Sequence, residues 1–488
     1  MRIAGFVSGL DIDQMVKELM NAHRKPLVKL QQQKTLLEWK REDYRKVSVK
    51  LADFRYNKLP AFSAASALNT KKAQVSGDTT LLSARVVDPS QAQATLTVKV
   101  KQLATATSLF SSDGIAPGDW QNATLQDLGF SGTVEINGMA ITIDPSKATI
   151  RDLVNEINRS EAGVAAFFDY ESGKLSLTNK ETGDKDLTVS DDLKNFFKLD
   201  TDHIVKGKNA EVEINGMLII RESNKFTISG IELTLNAESQ TTSAVVTPVT
   251  DTDAIVSTIK SFISAYNELI SLINGELNEE RFRTYLPLTE EQREKMTEKQ
   301  IELWEEKARS GTLRNDSILT KVINDLRIAL IANVTTSKGD LNITHLGITT
   351  GEWASRGQLV IQDEEKLREF IEANPEAVLE LFSSAGTYTS PESKDVGVFN
   401  RIRSIVTEGL DMLAEKAGTS RISTSEYEPF LKNSMMESEI SSLDRRISDM
   451  ERKLKDLEDR YYKQFTAMET ALTRYNAQAN AFAGFFSN

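Results

Sequence analysis

The sequence predicts an α+β chain in which both ends form one helical coiled-coil stalk, a helical leg domain adjoins it, and a β-rich head of two small domains is inserted between the halves. Three observations carry this prediction. Apolar residues recur every seven positions near both ends, strand-like alternation fills the middle, and one hairpin hexapeptide occurs twice.

The N-terminal element comes first. From Leu27 to about Leu59 there is neither Gly nor Pro. Leu30, Leu37, Tyr44 and Leu51 stand seven residues apart, and Val47 and Phe54 lie three after the last two. Gln33 and Lys40 make the earlier companion positions polar, so the seam is imperfect, but the spacing still describes an amphipathic helix suited to a coiled coil.

The β-rich region follows. Leu96, Val98 and Val100 alternate with Thr97, Lys99 and Lys101, as in a half-buried strand. Val134 to Met139 reads Val-Glu-Ile-Asn-Gly-Met and reappears unchanged at Val212 to Met217. Asn137-Gly138 and Asn215-Gly216 are therefore expected at the centres of type I′ turns, where both residues need positive φ. Six identical residues in like context favour duplicated units. Thr149, with Asp152 three residues on, starts a short helix faced by Ile150, Leu153, Val154 and Ile157. Strands are expected at Val164–Phe168, at Lys174–Thr178 and through Ile231, Leu233 and Leu235.

Helices return at Asp251, where Ile255, Ile259, Phe262, Ile263, Tyr266, Leu269, Ile270 and Ile273 form a broad apolar face. A polar stretch over 279–310 starts a helix at Thr289, with Gln292 completing a capping box. Amphipathic helices follow at Ile318–Ile331 and Ile402–Leu413; between them lie a hairpin in Leu346–Ile361 and helices begun by Asp363 and by Asn374-Pro375.

The C-terminal element is the most regular. Ile440, Ile447, Leu454, Tyr461, Met468, Tyr475 and Phe482 keep an unbroken seven-residue spacing. Leu443, Met450 and Leu457 fill the companion position, which then drifts to Phe465, Leu472, Ala479 and Phe486. Each end carries a stripe that a lone helix cannot bury. The candidate interface residues are thus Leu30, Leu37, Tyr44, Val47, Leu51, Ile440, Ile447, Met450, Leu454, Leu457, Tyr461, Phe465, Phe482 and Phe486. The two end helices pair with each other or with neighbours in an assembly; two independent surface helices are the alternative. The expected domains are 1–50 with 435–488 (stalk), 51–75 with 249–434 (leg), 76–105 with 207–248 (first head domain) and 106–206 (distal head domain).

Composition excludes several function classes. With 59 Lys+Arg against 71 Asp+Glu the net charge is −12, which argues against nucleic acid and anionic membrane surfaces as partners. There is no cysteine, and His23, His203 and His345 lie far apart, so thiolate chemistry and a His-rich zinc site are not expected. The N-terminus lacks a signal-peptide h-region and no apolar run is long enough to span a bilayer, which alone would suggest a cytoplasmic chain. Catalytic signatures are absent. The acid pairs Asp191-Asp192 and Asp200/Asp202 lack EF-hand spacing, and Trp304 reads as a packing anchor rather than a sugar platform. No enzyme, cofactor or metal is expected.

Val7-Ser8-Gly9-Leu10-Asp11-Ile12-Asp13, then Met15-Val16 and Leu19-Met20, resembles the opening of flagellar filament cap proteins, the hook-associated protein 2 family. The repeated Ile-Asn-Gly, with Ile157-Asn158, Gly163-Val164-Ala165-Ala166 and Leu175-Ser176-Leu177, is similar to the flagellin-type IN motif. Tyr266-Asn267-Glu268-Leu269-Ile270, Pro287-Leu288-Thr289, Gly311-Thr312-Leu313-Arg314-Asn315-Asp316 and Leu346-Gly347-Ile348 resemble that family's C-terminal half. The ordered set spans nearly the whole chain. The resemblance implies a structural protein without catalytic residues, secreted unfolded through the flagellar type III export apparatus with an export chaperone. It implies a small, pentamer-like ring at the distal, extracellular tip of the flagellum. Its partners there would be flagellin, whose folding and polymerisation it would promote and whose loss it would prevent, and the hook–filament junction proteins. The alternative in another class is a surface adhesin binding mucin or host glycans through the head. A junction protein is a closer rival, and an enzyme with an unrecognised site a remote one.

Overall fold

The structure, a computed structural model, describes residues 11–351 and 356–486, with side chains as far as 480. Two compact units are present, one formed by 11–68 with 252–486 and one by 69–251.

The first unit is built on helices. Its N-terminal helix spans Ile12–Asp53 and opens at Asp11, whose carboxylate accepts from the Gln14 amide at 2.9 Å. The helix thus starts fifteen residues before the expected Leu27 and carries Pro26 inside it. Sequence reading stopped at the proline because an interior proline removes a hydrogen bond and typically costs about 3 kcal/mol. A single π-helical turn, Phe54–Lys58, and a short helix, Leu59–Ser63, finish the element.

The central helices are Thr252–Asn278, Ser317–Ile331 and Val398–Ala417. All eight apolar positions expected on the first of these are buried. The three helices share one core, in which Phe399 meets Phe262 at 4.9 Å and Phe382 at 5.1 Å between ring centroids. Two small antiparallel hairpins, Val334–Thr336 with Gly339–Leu341 and Ile348–Thr350 with Leu359–Ile361, close its edge. The polar stretch differs from expectation. Thr289 and Gln292 do form a capping box, but Glu290–Arg293 is one turn, and the helix restarts at Glu298–Arg309 behind a second box, Thr297 with Gln300. Trp304 donates to the Leu286 carbonyl at 2.8 Å and stacks near Tyr285, which pins this excursion.

The second unit holds two cores. One lies under a five-stranded antiparallel sheet, in spatial order Lys71–Gly77, Ala244–Thr250, Leu96–Gln102, Ala210–Ile214, Met217–Arg221, with a three-stranded sheet of Lys225–Ile228, Ile231–Leu235 and Leu82–Val86. The other combines a four-stranded sheet, Val164–Asp169, Lys174–Asn179, Ser108–Ser111 and Leu199–Val205, with helices Ile150–Arg159 and Asp191–Phe197.

Both copies of the hexapeptide form two-residue hairpins. Asn137 and Gly138 have φ of 51° and 77°, Asn215 and Gly216 of 50° and 86°. The surroundings differ: the first hairpin is a two-stranded ribbon joined to a neighbouring segment through the bridge Ile136–Val189, the second the edge of the five-stranded sheet. The duplication therefore extends to the hairpin and not to the unit around it. In both, the asparagine side chain braces the turn against another segment. Asn137 Oδ1 accepts from the Thr188 amide at 3.0 Å, and Asn215 Oδ1 from the Thr97 amide at 2.8 Å.

Candidate functional site

The residues singled out on the end stripes fall into three groups in the first unit. The lowest group is internal. Tyr44, Val47 and Leu51 are fully buried in the core shared with the central helices. Their stripe is filled from within the chain, which corrects the expectation of an interface there. The physical reason is visible around Tyr44. Its hydroxyl donates to Asp316, whose other carboxylate oxygen caps Ser317–Ile331 by accepting from the Ile318 and Leu319 amides at 3.1 and 3.3 Å. Burial, reinforced by that carboxylate, pushes the Tyr44 hydroxyl well above the usual phenol range, so it remains a donor. The preceding residue, buried Asp43, accepts from Arg309 at 2.6 Å and from Thr312 at 2.6 Å.

The middle group flanks this core. Leu37 packs against it half-buried, while Leu30, Ile440 and Leu443 are buried and Ile447 is half-buried.

The upper group forms a seam between the two end helices. The C-terminal helix spans Met435–Phe486. Lys34 meets Asp444 at 2.6 Å, Arg24 meets Glu458 at 3.7 Å, and the Tyr462 hydroxyl donates to Asp13 at 2.9 Å. Partner numbers fall on one helix as they rise on the other, so the pairing is antiparallel. Ile12, Val16, Met20 and Leu454 form its buried centre, with Leu27, Met450, Leu457, Tyr461, Tyr462 and Phe465 packed around them. Tyr461 also reaches His23, 3.3 Å from hydroxyl to Nε2.

Sequence reading missed Ile12, Val16 and Met20 as seam residues. Their signal was available, a four-residue spacing on the same face, but lay on the far side of Pro26. Toward its far end the C-terminal stripe stays uncovered: Met468 is 38% exposed and Tyr475 69%. Phe482 and Phe486 lie outside the residues whose side chains are described, as do Val7 to Leu10 of the opening motif and Trp353.

A second exposed apolar surface lies in the other unit. Met217, Leu218 and Ile220 project from the edge strand Met217–Arg221.

Among the described residues, no group of His, Asp or Glu is arranged to hold a metal ion. Asp192, from one of the acid pairs, accepts from the Thr133 amide at 2.8 Å. Among the same residues no helix is long and apolar enough to cross a membrane.

Comparison with known proteins places these features in context. Residues 207–477 match the family model described as flagellar hook-associated protein 2 C-terminus, 8–107 its N-terminus, and 130–181 the flagellin hook IN motif. A flagellar hook-associated protein 2 from Halalkalibacterium halodurans is 31% identical over 548 aligned residues, covering 100% of each chain. The protein of the same description from Thermotoga maritima is 30% identical over 276 residues, covering 53% of this chain and 42% of its own. The crystal structure of the D1-D2-D3 domains of the flagellar cap protein FliD from Escherichia coli aligns with a TM-score of 0.52 at 20% identity, over 82% of this chain and 99% of that one, a likeness of fold.

Proposed function

Because this chain belongs to the flagellar hook-associated protein 2 family, we propose that it caps the distal end of the bacterial flagellar filament. There it promotes folding and polymerisation of flagellin and prevents its loss. The observation that carries the mechanism is the antiparallel seam whose apolar stripe runs on past its covered part to exposed Met468 and Tyr475.

An apolar stripe on a stiff, paired helix is a docking surface for other helices. The end helices act as legs seated in the growing end of the filament. Several copies close into a small ring through a contact that joins two different faces of the chain. The ring shelters an incoming subunit while it folds and adds. Rate is gained by confinement, with no covalent step, so no catalytic group is required. The four-part division into stalk, leg and two head domains belongs to the same reading. So do the extracellular location, export by the flagellar type III apparatus with a chaperone, and attachment beside the hook–filament junction proteins. The glycan-binding alternative draws no support from the relatives compared, which are hook-associated or cap proteins.

The test is a clean deletion. Cells lacking this chain are expected to release unpolymerised flagellin into the medium and to carry few or short filaments, and expression in trans restores them. Filaments of normal number and length in the deletion would end this reading.

A further inference from the structure

Between the two end helices and the loops after the first central helix lies a cleft of about 650 Å³. In a chain of net charge −12 its lining is strongly basic: Lys40, Arg281, Arg283, Arg314 and Arg446, against the single carboxylate of Glu439. Its floor is apolar, with Leu37 and Leu443.

Three of these cations are engaged inside the chain, among them Arg314, which donates to the Glu279 carbonyl at 3.2 Å. Arg281 donates to the Ala308 and Ser310 carbonyls at 2.9 and 2.6 Å, and Lys40 lies 3.9 Å from Asp316. Arg283 and Arg446 are exposed and make no ion pair among the described residues. Burial lowers the Arg281 pKa, the Glu279 carboxylate works against this, and neighbouring Arg283 adds to the lowering. A cleft that gathers like charges over an apolar floor is complementary to an acidic segment carrying a large apolar side chain.

The same unit presents such a segment. In the connection to the C-terminal helix, Tyr427 is 94% exposed and stands between Glu426 and Glu428, with Ile422 68% exposed nearby. The loop is held in place: Phe430 lies 4.0 Å from the Arg41 guanidinium and 3.6 Å from that of Arg45, and Arg45 donates to the Glu426 carbonyl at 3.0 Å. At about 100° per residue, positions 41 and 45 lie on average roughly a third of a turn around the N-terminal helix from 36, 37 and 40. Loop and cleft therefore face different directions, as a contact between successive copies requires.

We propose that the Glu426-Tyr427-Glu428 loop of one copy docks in the basic cleft of the next, forming the repeating contact of the ring. The proposal rests on the capping reading above and adds the two surfaces that join. Tyr427 covers the floor while Glu426 and Glu428 meet Arg283 and Arg446. Two such charge pairs at a desolvated contact, with an aromatic anchor between them, are the features that concentrate binding energy at interfaces.

Sedimentation velocity of the full chain at low ionic strength tests this. The double variant Arg283→Glu with Arg446→Glu, and separately Glu426→Lys with Glu428→Lys, are each expected to raise the concentration for half-assembly at least tenfold. Combining all four changes should restore assembly, because the charges are again complementary. All five positions needed are on the surface, and circular dichroism checks that each variant folds. The natural chain has no cysteine, so Arg283→Cys and Tyr427→Cys chains mixed under oxidation should give a cross-linked heterodimer in large excess over the homodimer that either chain forms alone. Assembly unchanged by both reversals, reversals that fail to rescue each other, or no cross-link would overturn the proposal while leaving capping intact. A natural chain that stays monomeric at every concentration would remove the ring and the proposal together.

Discussion

Arg401 heads the largest fully buried side chains, and its bonds run to backbone carbonyls. It donates to Ala329 and Ala332 at 3.0 and 2.9 Å, to Asn333 at 2.6 Å and to Ser393 at 3.0 and 2.7 Å. These close the C-terminal end of Ser317–Ile331, whose last carbonyls have no helical partner. Arg401→Met keeps the volume but strands several buried acceptors at about 1–3 kcal/mol each. The variant should lose about 3 kcal/mol or more, read as a lower midpoint in urea denaturation. On Thr252–Asn278, burial pushes the Glu276 carboxyl up, and Asp43 and Glu279 push it further. A raised carboxyl contributes stability that is present below the ordinary glutamate range and lost as pH rises through the raised value. Glu276→Gln removes that loss, so its Tm should exceed the natural chain's at pH 7 and match it at pH 4 or below. Neither residue was legible in the sequence. An arginine bonded to carbonyls some 70 positions away has no local signature, whereas both Asn-Gly turns did, because positive φ at two adjacent positions restricts residue choice.

At the scale of the element, the seven-residue spacing told which faces are apolar but not what covers them. The N-terminal stripe changes partners along its length, from central helices at Tyr44 to the other end helix at Met20. Periodicity is the same in both cases, since each neighbour is a helix packed at helical spacing. The seam itself is open to a direct test. Leu457 packs half-buried against its buried centre, while Lys453 faces solvent. Leu457→Asp places a carboxylate beside the apolar cluster of Ile12, Val16, Met20 and Leu454; a fully buried unpaired charge costs several kcal/mol and a half-buried one less, so a loss of about 1–3 kcal/mol is expected. Lys453→Glu should change stability by well under about 1 kcal/mol. Limited proteolysis should therefore release the end helices early in Leu457→Asp and at the natural rate in Lys453→Glu. Equal rates would mean that the seam does not hold the ends together.

For the whole molecule, the order helix, β-rich insertion, helix was legible because period and composition change near residues 70 and 250, where the chain divides into its two units. The distribution of hairpins within the β-rich unit was less so, since identical hexapeptides sit in a two-stranded ribbon and in a sheet edge. Under the proposed capping role, the paired end helices with their partly uncovered stripe are the part that reaches the filament. Electron microscopy of filament tips decides this most directly, comparing cells that express the natural chain, the Leu457→Asp chain, or none. Discrete end structures are predicted on filaments of the natural strain and on neither of the others, with free flagellin in the medium only where the end structure is missing. Bare tips on full-length filaments in all three strains, with no released flagellin, would contradict the account.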